Sequence, residues 1–266
     1  AAALIYEVLW LREISLVMGH TVYALSAILT AFLGGLTLGA FLGGRWTERH
    51  GASLGLYAAL ELAIAATALL VPVLTHALYP LVGVIYRGIG DEFAAYNLAQ
   101  FVLCGLVVLP PTIFMGATLP VVAEILVRER RDIAADAGAL YALNSVGGAL
   151  GAAGAGFVLL PALGSCRAGL IAVALNTAAA AAAFWIARRG APAAASTPAA
   201  TGTPLSPVVP ESERSSGGES WPAPSLGLLG VLYALFGFAN LALEVGWARL
   251  VSLSIGSTTH GFTITL

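Results

Sequence analysis

Between residues 1 and 189 the apolar residues gather into blocks separated by short polar stretches. The blocks fall near 1–18, 22–44, 53–74, 94–118, 137–160 and 167–187. About 20 predominantly apolar residues are enough for a helix to cross the hydrocarbon core of a bilayer, so each block is expected to be a membrane-spanning helix. A seventh block covers roughly 225–254, and an eighth begins near Thr258. Residues 190–223 are dense in Pro, Ala, Ser, Thr and Gly, a composition that favours a disordered linker. The predicted fold is all-α and polytopic. Residues 1–189 form a first six-helix unit, 190–223 a linker, and 224–266 the start of a second unit.

The second unit repeats the first. With Glu7 set on Glu244, Glu7-Val8-x-Trp10-x-Arg12 aligns with Glu244-Val245-x-Trp247-x-Arg249, and Ser15-Leu16, Gly19 and Thr21 fall on Ser252-Leu253, Gly256 and Thr258 without a gap. Self-similarity of this kind marks a protein built from related units. Six helices, a linker and a second copy in the same orientation describe a parallel repeat, as in major-facilitator transporters. The helix of the second copy starts well before Glu244, so the first helix is expected to be cut short at its N-terminus, and the chain to be part of a larger membrane protein.

Composition agrees. The chain is 59% hydrophobic and 10% charged, with a mean hydropathy of +0.89; soluble domains carry about 25% charged residues. All 12 basic residues are Arg, which fits a GC-rich bacterial genome. No basic face for nucleic acid is present. Cys104 and Cys166 lie in or beside apolar segments, without a CxxC or a Cys/His cluster, and are expected to pack as small apolar residues. Arginine placement sets the orientation. Arg45 and Arg49 follow helix 2; Arg128, Arg130 and Arg131 follow helix 4; Arg188 and Arg189 follow helix 6. The alternate loops hold only Arg87 and Arg167. Loop 45–52 and linker 190–223 are therefore expected on the cytoplasmic side of a bacterial inner membrane. The loop from Thr75 to Phe93, with room for a short interfacial helix, is expected outside.

Helix 2 carries Gly35, Gly39 and Gly43 at a spacing of four, which puts them on one face and predicts a close helix contact. The following Gly43-Gly44-Arg45-Trp46-Thr47-Glu48-Arg49-His50-Gly51 stretch is similar to the helix 2–3 loop of major-facilitator transporters, where it helps latch a gate, but lacks the usual Asp. A positive anchor at the membrane surface is the alternative. Helix 4 reads Pro110-Pro111-Thr112-Ile113-Phe114-Met115-Gly116-Ala117-Thr118-Leu119-Pro120. Its prolines remove backbone donors and are expected to kink or break it. Helix 5 reads Tyr141-x-x-Asn144-x-x-Gly147-Gly148-x-x-Gly151, then Gly154, Gly156 and Leu160-Pro161-x-x-Gly164. No strand precedes these glycines, so close helix packing accounts for them better than a dinucleotide loop.

Glu-Val-x-Trp-x-Arg in helix 1, Leu60-Glu61-Leu62 in helix 3, the Pro-Thr-x-x-Met-Gly-Ala-Thr-Leu-Pro run of helix 4 and Tyr-x-x-Asn-x-x-Gly in helix 5 resemble, in order, the membrane region of bacterial fused spermidine-synthase-like proteins. In that family a major-facilitator-like membrane part is joined to an aminopropyltransferase-like domain. The resemblance spans nearly all of the chain except 190–223. It implies polyamine biosynthesis or handling, and decarboxylated S-adenosylmethionine as the ligand of the soluble domain. No segment here can hold that domain, so no cofactor and no catalytic residue is assigned to this chain.

Ionisable groups within membrane helices are expensive and usually functional. Glu7, Glu61, Tyr141, Asn144 and Glu244 are the candidate substrate-binding residues, facing a polyamine or another small cationic solute. Arg12, Glu13, Arg45, Arg49 and Arg249 are candidates for structural ion pairs or a gate. The alternative for the acids is structural: Glu7 or Glu13 pairing with Arg12, and Glu61 hydrogen-bonding a neighbouring helix. Asn97, Gln100 and Asn176 are expected to form interhelical hydrogen bonds, and no metal site is expected. The expected partners are the lipid bilayer, the remaining half of the parent chain and the small solute. The alternative to the fused enzyme is a major-facilitator-type solute transporter with no attached enzyme.

Overall fold

The computed structural model describes residues 1–18, 22–129 and 133–189, together with positions 231, 234–239, 242–243, 245–247 and 250, which are helical apart from short turns. Glu244, Arg249 and the linker 190–223 lie outside the described residues. The helices are α1 (Ala2–Met18), α2 (Val22–His50), α3 (Leu54–Ile89), α4 (Phe93–Glu129), α5 (Ile133–Ala153) and α6 (Leu160–Arg189), with a π-helical turn, Gly154–Leu159, between the last two. No strand occurs among the described residues. Four stretches are long and apolar enough to cross a membrane: Leu25–His50, Leu54–Ile89, Phe93–Leu126 and Gly138–Arg189.

Two boundaries differ from expectation. Residues 45–50 form the last turns of α2, so the connection to α3 is only Gly51 to Ser53. Gly51 supplies the left-handed backbone of that turn, at φ 78°, and Ser53 caps α3 by accepting from the Leu56 N–H at 3.1 Å. The second difference is larger. Thr75 to Ile89, expected as an outer loop, continues α3 through Pro72 and Pro80. A proline removes one i→i−4 hydrogen bond without forcing the chain to turn, and the apolar residues beyond each proline keep the helix going. Likewise α4 runs unbroken through Pro110, Pro111 and Pro120. The expected break there is absent.

α1 is the axis. Ile5, Tyr6, Val8, Leu9, Trp10 and Ile14 are all buried, a distribution around every face that marks a helix enclosed by others. It touches α2, α3, α4, α5 and α6. Tyr6 stacks on Trp10 at 5.1 Å, and Trp10 leans on Phe32 of α2.

The broadest contact joins α2 to α4. Gly35 lies against Thr112, Gly39 against the backbone of Ile113, and Gly43 against Ala117, while Gly116 meets the backbone of Leu36. Residue numbers rise together along both helices, so α2 and α4 are parallel. The predicted glycine face is therefore a seam in which the two helices approach closely, with only the small Thr112 and Ala117 side chains between them. α3 and α6 pack the other way. Ala58, Ala180 and Ala183 share one cluster with Leu54 and Tyr57, and Glu61 meets Asn176, so numbers rise on one helix as they fall on the other.

The reversal lies within the first turns of α6, at Gly164, whose φ of 74° is non-helical. Gly148 faces Leu4, Gly169 faces Leu9, and Asn176 returns to the level of Glu61. The chain thus climbs along α1 before Gly164 and descends after it. The turn falls inside the predicted gap between helices 5 and 6.

Candidate functional site

These directions sort the charges. α2 ends beside the start of α3, and α6 ends beside the same turn, because Ala183 packs with Ala58 and Leu54. One end of the bundle therefore holds Arg45, Arg49, Arg188 and Arg189. The opposite end holds Arg87 and the Asp91-Glu92 turn. At the arginine end three of these four cations lie on aromatic rings. Arg45 sits 5.3 Å from the Phe41 ring centre, Arg188 4.5 Å from Phe184, and Arg189 3.6 Å from Trp185. Trp46 stacks on His50 at 4.4 Å. Each pair is spaced i, i+4, which brings side chains together on one helix face. Arg45 and Arg49, candidates for a gate or ion pair, are both exposed; the structure gives Arg45 an aromatic partner on its own helix.

The other polar site is internal. Glu61 of α3 is 8% exposed and Asn176 of α6 is 5% exposed. Asn176 Nδ2 donates to Glu61 Oε2 at 2.7 Å. Tyr57, one turn before Glu61, interacts through its side chain with the same carboxylate. Tyr6 of α1 lies within electrostatic range of it. The site sits where α1, α3 and α6 meet, and it forms because small residues on α3 and α6 let the two helices close around one acid–amide pair. Asn176 is interhelical, as expected. Asn97 and Gln100 are not: Asn97 Nδ2 donates to Phe93 O at 2.7 Å and Gln100 Nε2 to Tyr96 Oη at 2.9 Å, both within α4.

The remaining candidates do not converge on Glu61. Glu7 is buried and partnered, while Arg12 and Glu13 are half-buried. Tyr141 is 74% exposed and Asn144 is exposed beside it, on a face of α5 that no described helix covers. Tyr57 and Tyr6 were not singled out from the sequence. The i−4 spacing of Tyr57 from Glu61 was available as a signal; nothing in the sequence pointed from Tyr6 to α3. Among the described residues no group of three or more His, Cys, Asp or Glu side chains could hold a metal. Compared with protein-family models, curated proteins and solved structures, the chain matches none.

Proposed function

We propose that this chain is the first six-helix unit, with the start of the second, of a major-facilitator-like membrane region in a fused spermidine-synthase-like protein of the bacterial inner membrane. It anchors an aminopropyltransferase-like domain of the parent and carries an amine substrate or product. The observation that supports the membrane part is the arginine end of the bundle. Arginines paired with Phe and Trp at one end of apolar helices are the residues of a membrane–water interface, and their excess marks the cytoplasmic side. The fused enzyme is supported by the ordered motif series, and amine transport by a buried carboxylate with polar neighbours.

Orientation is tested with single cysteines, in a background lacking Cys104 and Cys166, placed at Ser53 and Gly90. Ser53 should label from the cytoplasmic side and Gly90 from the outside. Reversed labelling removes the proposed orientation. The enzyme is tested on membranes containing the full-length parent, which should form spermidine from putrescine and decarboxylated S-adenosylmethionine. The isolated chain should not. Membranes with no turnover above a vector control leave the second reading, a solute transporter without an enzyme, which the buried Glu61 site favours equally.

A further inference from the structure

Glu61 already receives the Asn176 amide and the Tyr57 side chain, yet two polar atoms around this pair stay unpaired. Asn176 spends its amide N–H on Glu61 Oε2, which leaves Asn176 Oδ1 beside the carboxylate, buried and without a hydrogen-bond partner. The Tyr6 hydroxyl is also buried and unpartnered; Tyr6 is 1% exposed. Buried polar atoms are nearly always paired, and each exception calls for an explanation. A plain helix contact would not need an orphaned amide oxygen beside an acid, with a second orphan, the Tyr6 hydroxyl, within electrostatic range of it. Among the described residues, the Ala1 amino group is the positive group within electrostatic range of Glu61, and no Arg side chain reaches it.

A cation would satisfy the Glu61 carboxylate and Asn176 Oδ1 together, and the unpaired Tyr6 hydroxyl lies within electrostatic range of the same charge. The available atoms are carboxylate, amide and phenol oxygens, a set that suits hard ions over thiophilic ones. A single carboxylate balances a single positive charge, so a divalent ion would be left under-compensated in an apolar surrounding. We propose that Glu61, Asn176 and Tyr6 form a binding site for a small monovalent cation at the junction of α1, α3 and α6. The shared chemistry is one positive charge surrounded by oxygens, supplied by a bare sodium ion or by a primary ammonium group. The site does not depend on an attached enzyme, so it stands or falls separately from the spermidine measurement.

The test is thermal unfolding of the purified chain in detergent, titrated with sodium chloride or methylammonium chloride while choline chloride holds ionic strength constant. A ligand that binds the folded state raises its melting temperature with saturation. The expected result is a saturable rise with sodium or methylammonium and none with choline. A response to sodium alone assigns the bare ion, and a response to methylammonium alone assigns the ammonium group. Glu61→Gln should abolish the rise. Asn176→Leu and Tyr6→Phe should each raise the titration midpoint about tenfold, the scale on which even outer-shell partners of a bound ion act. Should Glu61→Gln fail to fold, Tyr6→Phe decides, since it removes only an unpartnered hydroxyl. A wild-type melting temperature indifferent to both cations, a rise that survives Glu61→Gln, or an unchanged midpoint in Tyr6→Phe overturns the site.

Discussion

Two helix contacts in this bundle are built on opposite principles. Between α2 and α4 the fit is made by removing side chains: Gly39, Gly43 and Gly116 lie against the facing backbone, and Gly35 makes room for Thr112. Between α3 and α6 the fit is made by alanines and one hydrogen-bonded pair, Glu61 with Asn176. Inside a bilayer, lipid is as apolar as a leucine side chain, so helices associate through close packing and polar links more than through hydrophobic exclusion. The first contact uses packing and the second adds a polar link. The α2–α4 seam should tolerate no added volume and be indifferent to charge. The α3–α6 contact should show the reverse pattern.

The largest effect is expected at Gly39. Leucine there would drive a side chain into the Ile113 backbone, and overpacking of this kind should cost about 3 kcal/mol, read as a lower denaturation midpoint. Gly39→Leu with an unchanged midpoint would mean that the helices can separate without loss, and the comparison would fail. The next effect is polar. Asn176→Leu leaves the Glu61 carboxylate short of a donor and should cost about 1–2 kcal/mol. The double variant Glu61→Leu with Asn176→Leu should cost less than the two single changes together, by about 1 kcal/mol of coupling. Strict additivity would separate the pair energetically despite its 2.7 Å hydrogen bond. The smallest effect has the opposite sign. Gly34 is on the outward face of α2 with nothing within 4 Å of an added Cβ, so Gly34→Ala should stabilise the helix by about half a kcal/mol. Together with Gly39→Leu, it asks whether neighbouring turns of one helix obey different rules.

The sequence carried the helices and the glycine seam because both depend on local spacing. Blocks of apolar residues give length, and glycines four apart give a face. The end of α3 was not legible. Pro72, Thr75, His76, Tyr79 and Pro80 look like a boundary, yet Thr75 is 1% exposed and continues the buried stripe of Val71 and Val82. Whether such residues sit in a loop or a helix is decided by what packs on them. The candidate site was half legible. Glu61 stood out as an acid in an apolar block, and Asn176 as an interhelical residue. Their meeting across 115 positions required knowing that Gly164 turns the chain back along α1. Tyr141 and Asn144 share a helix motif with close-packing glycines, but the motif fixes only which residues share a face of α5. It does not fix what that face meets.

The added length of α3 gives the bundle a definite height. α3 has 36 residues and α4 has 37, each spanning about 54 Å at 1.5 Å per residue. The hydrocarbon core they would cross is about 30 Å thick. The surplus, roughly 20 Å, must be taken up by tilt or by projection into water. Tyr86 of α3 meets Tyr96 of α4 edge-on at 5.5 Å, which fastens the two helices just before the turn at Gly90. The two helices are thereby joined close to the turn. The Asp91-Glu92 turn is then carried by both helices together, so a change in bilayer thickness is expected to tilt the hairpin as a pair.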